Sequence, residues 1–270
     1  ILITDFYGNT YFVKNKQIIN KTSSDINPLI IINNLEPTKV LDSLVDKNLL
    51  YISYYTEKEG CQLLSVSKAE ISMKEMKFVK VFSSDECGNY VQGGRMVINI
   101  KDKNNNLLLS TTNQTPDRIT ERPQNDDSIF GKIISIDLEN NKSSIYSKGH
   151  RNIQGLYIDN DVIISTEHGP RGGDEINKIE KGKNYGWPIA SYGGTYSQQS
   201  QKKIIYLKSH EDHNFIEPIY SFVPSIGISE IIRLSNNFSK LFQNNFILTS
   251  LFDRSIYRIK FDNSFNKILY

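Results

Sequence analysis

Short apolar runs recur along the chain between clusters of Asn, Gly, Asp and Lys, among them NLLYISYY, RMVINI, NLLLSTT, GKIISIDL, DVIISTE, NFILTSL and SIYRIKFD. They are rich in Ile, Leu, Tyr and Val, and the 3.6-residue spacing of an amphipathic helix is nearly absent. The pattern predicts an all-β fold. One alternating motif also repeats: GNTYFVKN begins at Gly8, GKIISIDLENN at Gly131 and SIYRIKFDNS at Ser255, 123 and 124 residues apart. Each interval is about three times 41, and one propeller blade takes about 40 to 50 residues. Two intervals of three blades predict a six-bladed β-propeller, whose loops converge on a central channel. No linker divides the chain, so residues 1–270 read as one propeller domain. The chain opens without Met inside an apolar run and stops at Tyr270, which suggests a propeller incomplete at both ends. The polar segments Thr115–Ser128 and Ser191–Lys203 are predicted to be long loops over a site.

Composition narrows the partners. Lys and Arg total 32 against 30 for Asp and Glu, a net charge of +2, and the basic residues are scattered. Such a balance argues against nucleic acid. The run LIII at Leu29–Ile32 is far shorter than the roughly 20 residues that cross a bilayer, so no transmembrane segment is expected. Two cysteines, Cys61 and Cys87, lack metal-type spacing and leave a single disulfide open.

The densest chemistry lies at residues 149–188. In GHRNIQG, the guanidinium of Arg151 and the amides of Asn152 and Gln154 fall within four positions. Forked donors of this kind match flat ligands that carry carboxylates and carbonyls, and the alternative is that they bond loop carbonyls. In EHGPRGGDE, Gly169 and Pro170 favour an unusual backbone path that can turn neighbouring carbonyl oxygens toward one point, a ligand set suited to a hard cation such as Ca²⁺. Glu167, Asp174 and Glu175 either add charge to such a site or anchor the loop. In KGKNYGWP, Tyr185 and Trp187 read as an aromatic plug beneath a turn. His210 and His213 have no third ligand nearby and do not suggest a metal site.

GHRNIQG, EHGPRGGDEIN and GKNYGWP, in this order and spacing, closely resemble the soluble pyrroloquinoline quinone (PQQ)-dependent aldose sugar dehydrogenases, the glucose/sorbosone dehydrogenase family. QGGRMVI, FGKIISID, PSIGISEI and NFILTSLFDRSIYRIKFD resemble further landmarks of that family, so the likeness covers most of the chain from about residue 90. The resemblance implies a six-bladed propeller with PQQ in an axial cleft, Ca²⁺ beside it, and a periplasmic or extracellular location. It also implies oxidation of a sugar's anomeric hydroxyl to a lactone by hydride transfer to PQQ. By position, Arg151, Asn152 and Gln154 would contact PQQ, and the main-chain oxygens of Gly169 and Pro170 would hold Ca²⁺. The electron acceptor is not indicated.

This sequence also departs from the family pattern. The general-base His falls at Val91, so no catalytic residue is assigned, and His150 is the first substitute to inspect, with a turn role as its competing reading. The acid that supports that base falls at Thr112 or Asn113, and a PQQ-contacting Lys falls at Phe252. An early Gly-Leu-Leu-Gly-type signature is missing from PTKVLDSLVD. These losses raise a second reading, a catalytically silent propeller that binds a sugar, polymer or protein partner. Both readings require the donors from Arg151 and the oxygens of Gly169 and Pro170 to face one axial hollow.

Overall fold

The computed structural model describes residues 2–270 apart from 6, 16, 25–35, 59, 89–92, 101–104, 114–120, 160 and 196–204. Its strands form five sheets. The first joins β1 (Leu2–Thr4), β2 (Thr10–Lys14) and β3 (Gln17–Ser24) to the short β7 (Glu75–Met76), which runs parallel to β3. The second comprises β4 (Glu36–Asp46), β5 (Leu49–Lys58), β6 (Cys61–Glu70) and β8 (Val79–Ser83). The third is β9 (Gly93–Asn99), β10 (Asn106–Thr111), β11 (Lys132–Asp137) and β12 (Ser143–Lys148). The fourth is β13 (Ile153–Asp159), β14 (Val162–Glu167), β15 (Asp174–Ile179) and β16 (Tyr220–Phe222). β17 (Ile228–Arg233), β18 (Phe246–Ser250) and β19 (Ile256–Ile259) make the fifth.

Burial on both faces explains the continuous apolar runs. Successive side chains of a strand point to opposite faces of its sheet. In β10, Leu107 and Leu109 therefore pack with Tyr51, Leu64 and Val66 of the second sheet, while Leu108 packs with Ile153, Leu156 and Ile163 of the fourth. The fourth sheet turns Ile164 and Ile176 toward Ile228, Ile231 and Leu248 of the fifth. On the other side of the second sheet, Leu50, Ile52 and Tyr54 take up Leu2. Sheets stacked face to face in sequence are the blades of a propeller. The leading strands β4, β9, β13 and β17 lie beside one another along the inside of the array.

The expectation of six blades is corrected: the described residues form five. The repeated motif falls in the first, third and fifth sheets, so each interval spans two blades rather than three. Long strands in the second sheet, with 11, 10 and 10 residues in β4, β5 and β6, lengthen the first interval. The excursion from residue 180 to 219 between β15 and β16 lengthens the second. Insertions inside blades thus defeat a count based on spacing alone. The described parts of the two polar segments are turns and irregular chain, as expected, and residues 115–120 and 196–203 lie outside the described residues. Among the described residues no helix is long and apolar enough to cross a membrane. Cys61 and Cys87 are bonded, closing the question left by their spacing.

Candidate functional site

The three motifs of residues 149–188 are laced together at one end of the fourth blade. Gly149 leaves β12 with φ +78°, and a Cβ there would lie 2.2 Å from Asn184 Oδ1 and 2.7 Å from Gly186 N, so glycine permits the first and third motifs to touch. The amides of Tyr185 and Trp187 donate to the carbonyls of Lys148 and Gly149 at 2.9 Å each. His150 stacks on Tyr185 with ring centroids 4.6 Å apart. The second motif joins through Glu167, whose carboxylate meets His150 Nδ1 at 3.1 Å and accepts from the amide of Arg151. Arg151 Nη1 donates to the carbonyl of His168 at 3.0 Å, and its guanidinium lies 5.3 Å from the Trp187 ring centre.

Asp174, with 1 % of its surface exposed, fixes the loop that follows. Its Oδ1 accepts from Gly169 N at 3.0 Å and Ser225 Oγ at 2.8 Å. Its Oδ2 accepts from the amides of Ile226, Gly227 and Ile228 at 3.0, 2.7 and 3.0 Å. A carboxylate with several backbone donors is a strong tie, and here it binds the second motif to the entry of the fifth blade.

Arg151, Glu167, Gly169, Pro170, Glu175 and Trp187 line a cavity of about 10 Å³, enough for one water or one ion. Arg151, Gly169 and Pro170 therefore face one space. Asn152 and Gln154 do not line it: Gln154 Nε2 donates to Asn152 Oδ1 at 2.7 Å, and Asn152 pairs with Thr112 of the third blade. A flat tricyclic guest needs several hundred Å³ and does not fit within this cavity. It would have to lie against the half-exposed outer faces of Arg151, Gln154, His168 and Gly169.

Glu167 and Glu175 stand opposite each other across β14 and β15, both buried. Burial, and next the Glu167 carboxylate, raise the Glu175 pKa well above the ordinary range, although Asn177 donates to it at 3.2 Å. Three buried polar atoms of the cavity residues, His168 Nε2, Trp187 Nε1 and His210 Nδ1, lack a hydrogen-bond partner among the described residues.

His210 was not expected here. Its Nε2 sits 3.7 Å from Glu175 Oε1, while His213 is exposed. Burial lowers the His210 pKa and raises that of Glu175, so each group's charged form is disfavoured by the same enclosure. No sequence signal marks it, because 35 positions separate two residues that only the excursion between β15 and β16 brings together. His150 is fully buried and held by Ser147 Oγ at 2.9 Å and by Glu167, so it is a strut of the turn with no access to a substrate. Val91 lies outside the described residues. Thr112 and Asn113 are buried, and Phe252 is 81 % exposed.

Further inside, three leading strands bring charges together. Arg95 Nη1 of β9 lies 3.7 Å from Asp42 Oδ1 of β4 and 3.4 Å from Glu230 Oε2 of β17. Burial lifts the Glu230 pKa to about 7, against the pull of Arg95. A carboxyl raised in the folded state contributes stability below its unfolded pKa near 4.5, lost as pH rises through about 7. Glu230→Gln is accordingly expected to flatten the decline between these pH values. Because the side chain is 43 % exposed, the gain at pH 8 should be only about 1 kcal/mol. Urea unfolding of both proteins at pH 4.5 and 8 measures it; an identical pH slope would refute the assignment.

With the geometry in place, relatives become informative. The family model for Glucose / Sorbosone dehydrogenase matches residues 35–268. The chain belongs to this family. It is 29 % identical over 184 residues to Aldose sugar dehydrogenase YliI of Escherichia coli (strain K12), a match covering 63 % of this chain and 47 % of that protein. The chain spans less than half the length of the curated relatives it matches. Among solved structures, a glucose dehydrogenase superposes with a TM-score of 0.79 at 21 % identity, covering 100 % of this chain and 81 % of the other. The PQQ-bound aldose sugar dehydrogenase of Streptomyces coelicolor gives 0.68 at 19 %, covering 99 % and 75 %. At these identities the structural matches speak for the propeller fold alone.

Proposed function

We propose that the protein is a PQQ- and calcium-binding propeller of the aldose sugar dehydrogenase type, with sugar turnover far below that of its family. The observation that carries this reading is the convergence of Arg151, Gly169 and Pro170 on one cavity with room for an ion, with the quinone placed outside it against Arg151 and Gln154. The oxygens of Gly169 and Pro170, with Glu167 and Glu175 beside them, would hold Ca²⁺. Arg151, and Gln154 from the adjoining strand, would orient the quinone by its carboxylates and carbonyls, with the buried Asn152 holding the Gln154 amide in place. The chemistry such a quinone would supply when bound is that of a hydride acceptor. Stacking on Trp187 holds the Arg151 guanidinium flat, so its forked donors are pre-oriented. Val91 cannot remove the hydroxyl proton, and the buried ring of His150 cannot replace it. The single propeller domain and a periplasmic or extracellular location belong to the same proposal; the Cys61–Cys87 disulfide suits an oxidising compartment.

Titration of the full chain with PQQ, with and without Ca²⁺, tests the reading. Calcium-dependent quinone binding is expected, with dye reduction by aldoses reduced about 10² to 10⁴-fold relative to a family enzyme, the usual effect of losing a general base. Turnover at family level would refute the role given to Val91. If PQQ does not bind at any practical concentration, the protein is instead a silent propeller that recognises a sugar, polymer or protein.

A further inference from the structure

Residues 121–131, between β10 and β11, touch three blades on the face that carries the cavity. From the second blade, Glu86 accepts Ser128 Oγ at 2.8 Å and the amide of Ile129 at 2.9 Å on Oε2, while its Oε1 lies 3.3 Å from Arg122 Nε. From the third, the fully buried Lys132 donates Nζ to the carbonyls of Arg122, Pro123 and Phe130 at 2.7, 3.1 and 3.1 Å. Toward the fourth, Gln124 Nε2 donates to the carbonyl of Trp187 at 2.7 Å and to Asn184 Oδ1 at 3.1 Å, and Asn184 Nδ2 returns a bond to Gln124 Oε1 at 2.7 Å. Trp187 is the cavity wall on which Arg151 stacks.

Glu86 is itself held by a short, cross-linked loop. Its neighbour Cys87 is bonded to Cys61 at the start of β6. Next to the bond, Gln62 and Gly88 exchange two backbone hydrogen bonds at 2.7 and 3.0 Å. Ser84 Oγ donates to the carbonyl of Glu86 at 3.1 Å and accepts from Leu64 N at 3.0 Å. An unbroken series of covalent and hydrogen bonds thus runs from the disulfide through Glu86 and Gln124 to Trp187.

We propose that Glu86 is a positioning residue for the Trp187–Arg151 wall and that the Cys61–Cys87 bond, by fixing the loop that carries Glu86, ties the geometry of that wall to thiol redox state. An external dithiol supplies two electrons and two protons, the S–S bond becomes two thiols, and the reductant closes into its own disulfide. The loop at 84–88 then keeps only its hydrogen bonds, and the Glu86 carboxylate is less firmly placed against Arg122, Ser128 and Ile129. The inference does not depend on which ligand the cavity takes.

Trp187 is the only tryptophan in the 270 residues, so its fluorescence reports the wall directly. Emission and acrylamide quenching are measured on the full chain before and after dithiothreitol, with thiols counted and far-UV circular dichroism recorded. Reduction should shift the emission to the red and increase quenching while the dichroism is unchanged. Glu86→Gln in the oxidised protein should give the same shift, and its reduction should add little further. Freed thiols with unaltered Trp187 emission would overturn the redox link, as would loss of dichroism, which would make the bond a global staple. In that event Glu86→Gln with the disulfide intact still decides the positioning role, which unaltered emission would overturn.

Discussion

Asp174→Ala should lower unfolding free energy by about 4 kcal/mol or more, a large share of the 5–15 kcal/mol usual for a folded protein. The carboxylate accepts from four backbone amides and one hydroxyl drawn from two separate loops. Ile226 and Ile228 are buried, so their amides have no ready exchange with water once the acceptor is gone. Each buried donor left unpaired costs about 1–3 kcal/mol. Asp174→Asn keeps one carbonyl oxygen and should lose roughly half as much. Urea midpoints for the three proteins decide the matter; a loss under about 1 kcal/mol for the alanine variant would mean that the loops are held by something else. Under the proposed function calcium binding should suffer in parallel, because the same carboxylate sets the path of the chain at Gly169.

Gly169→Ala acts on the cradle itself. A Cβ at this position would lie 2.1 Å from the Gly173 oxygen and 2.4 Å from the Gly172 oxygen. Neither can retreat easily. A Cβ on Gly173 would meet Gly193 N at 2.4 Å, one on Gly193 would meet the Gly172 oxygen at 2.3 Å, and Gly173 N donates to the carbonyl of Phe222 at 2.8 Å. Backbone is thus packed against backbone where only hydrogen fits. Overpacking of this kind costs about 1–3 kcal/mol, and the upper end is expected because no flexible side chain can yield. Under the proposed function the rise in melting temperature produced by Ca²⁺ in the parent protein should vanish in this variant. A Gly169→Ala protein that keeps the parent's calcium response would remove the Gly169 oxygen from the metal site.

Much of the candidate site was legible because it is local. Gly149, Arg151, Glu167, Gly169 and Trp187 belong to three motifs quoted together from one stretch, and in the fold these motifs contact one another. Asn152 instead pairs with Thr112 of the third blade and Gln154 donates to Asn152, a placement no motif reveals. The contributions of His210, Glu230, Asp42 and Glu86 were not legible at all. Each depends on a partner in another blade or at the end of a long excursion, and residue type alone does not say which distant chain will approach.

From its own order of residues the chain determined the strands, since period-two patterning and apolar runs set which segments can be buried on both faces. It also determined the local backbone of the three motifs, where Gly149 adopts a conformation that side chains disfavour and Gly169 accepts a contact that any Cβ would forbid. Tertiary structure decided the number of blades, because insertions within blades consume residues without adding sheets. It decided as well which charges meet, as with Arg95 between Asp42 and Glu230, for electrostatic neighbours are fixed by the packing of leading strands whose side chains lie far apart in sequence.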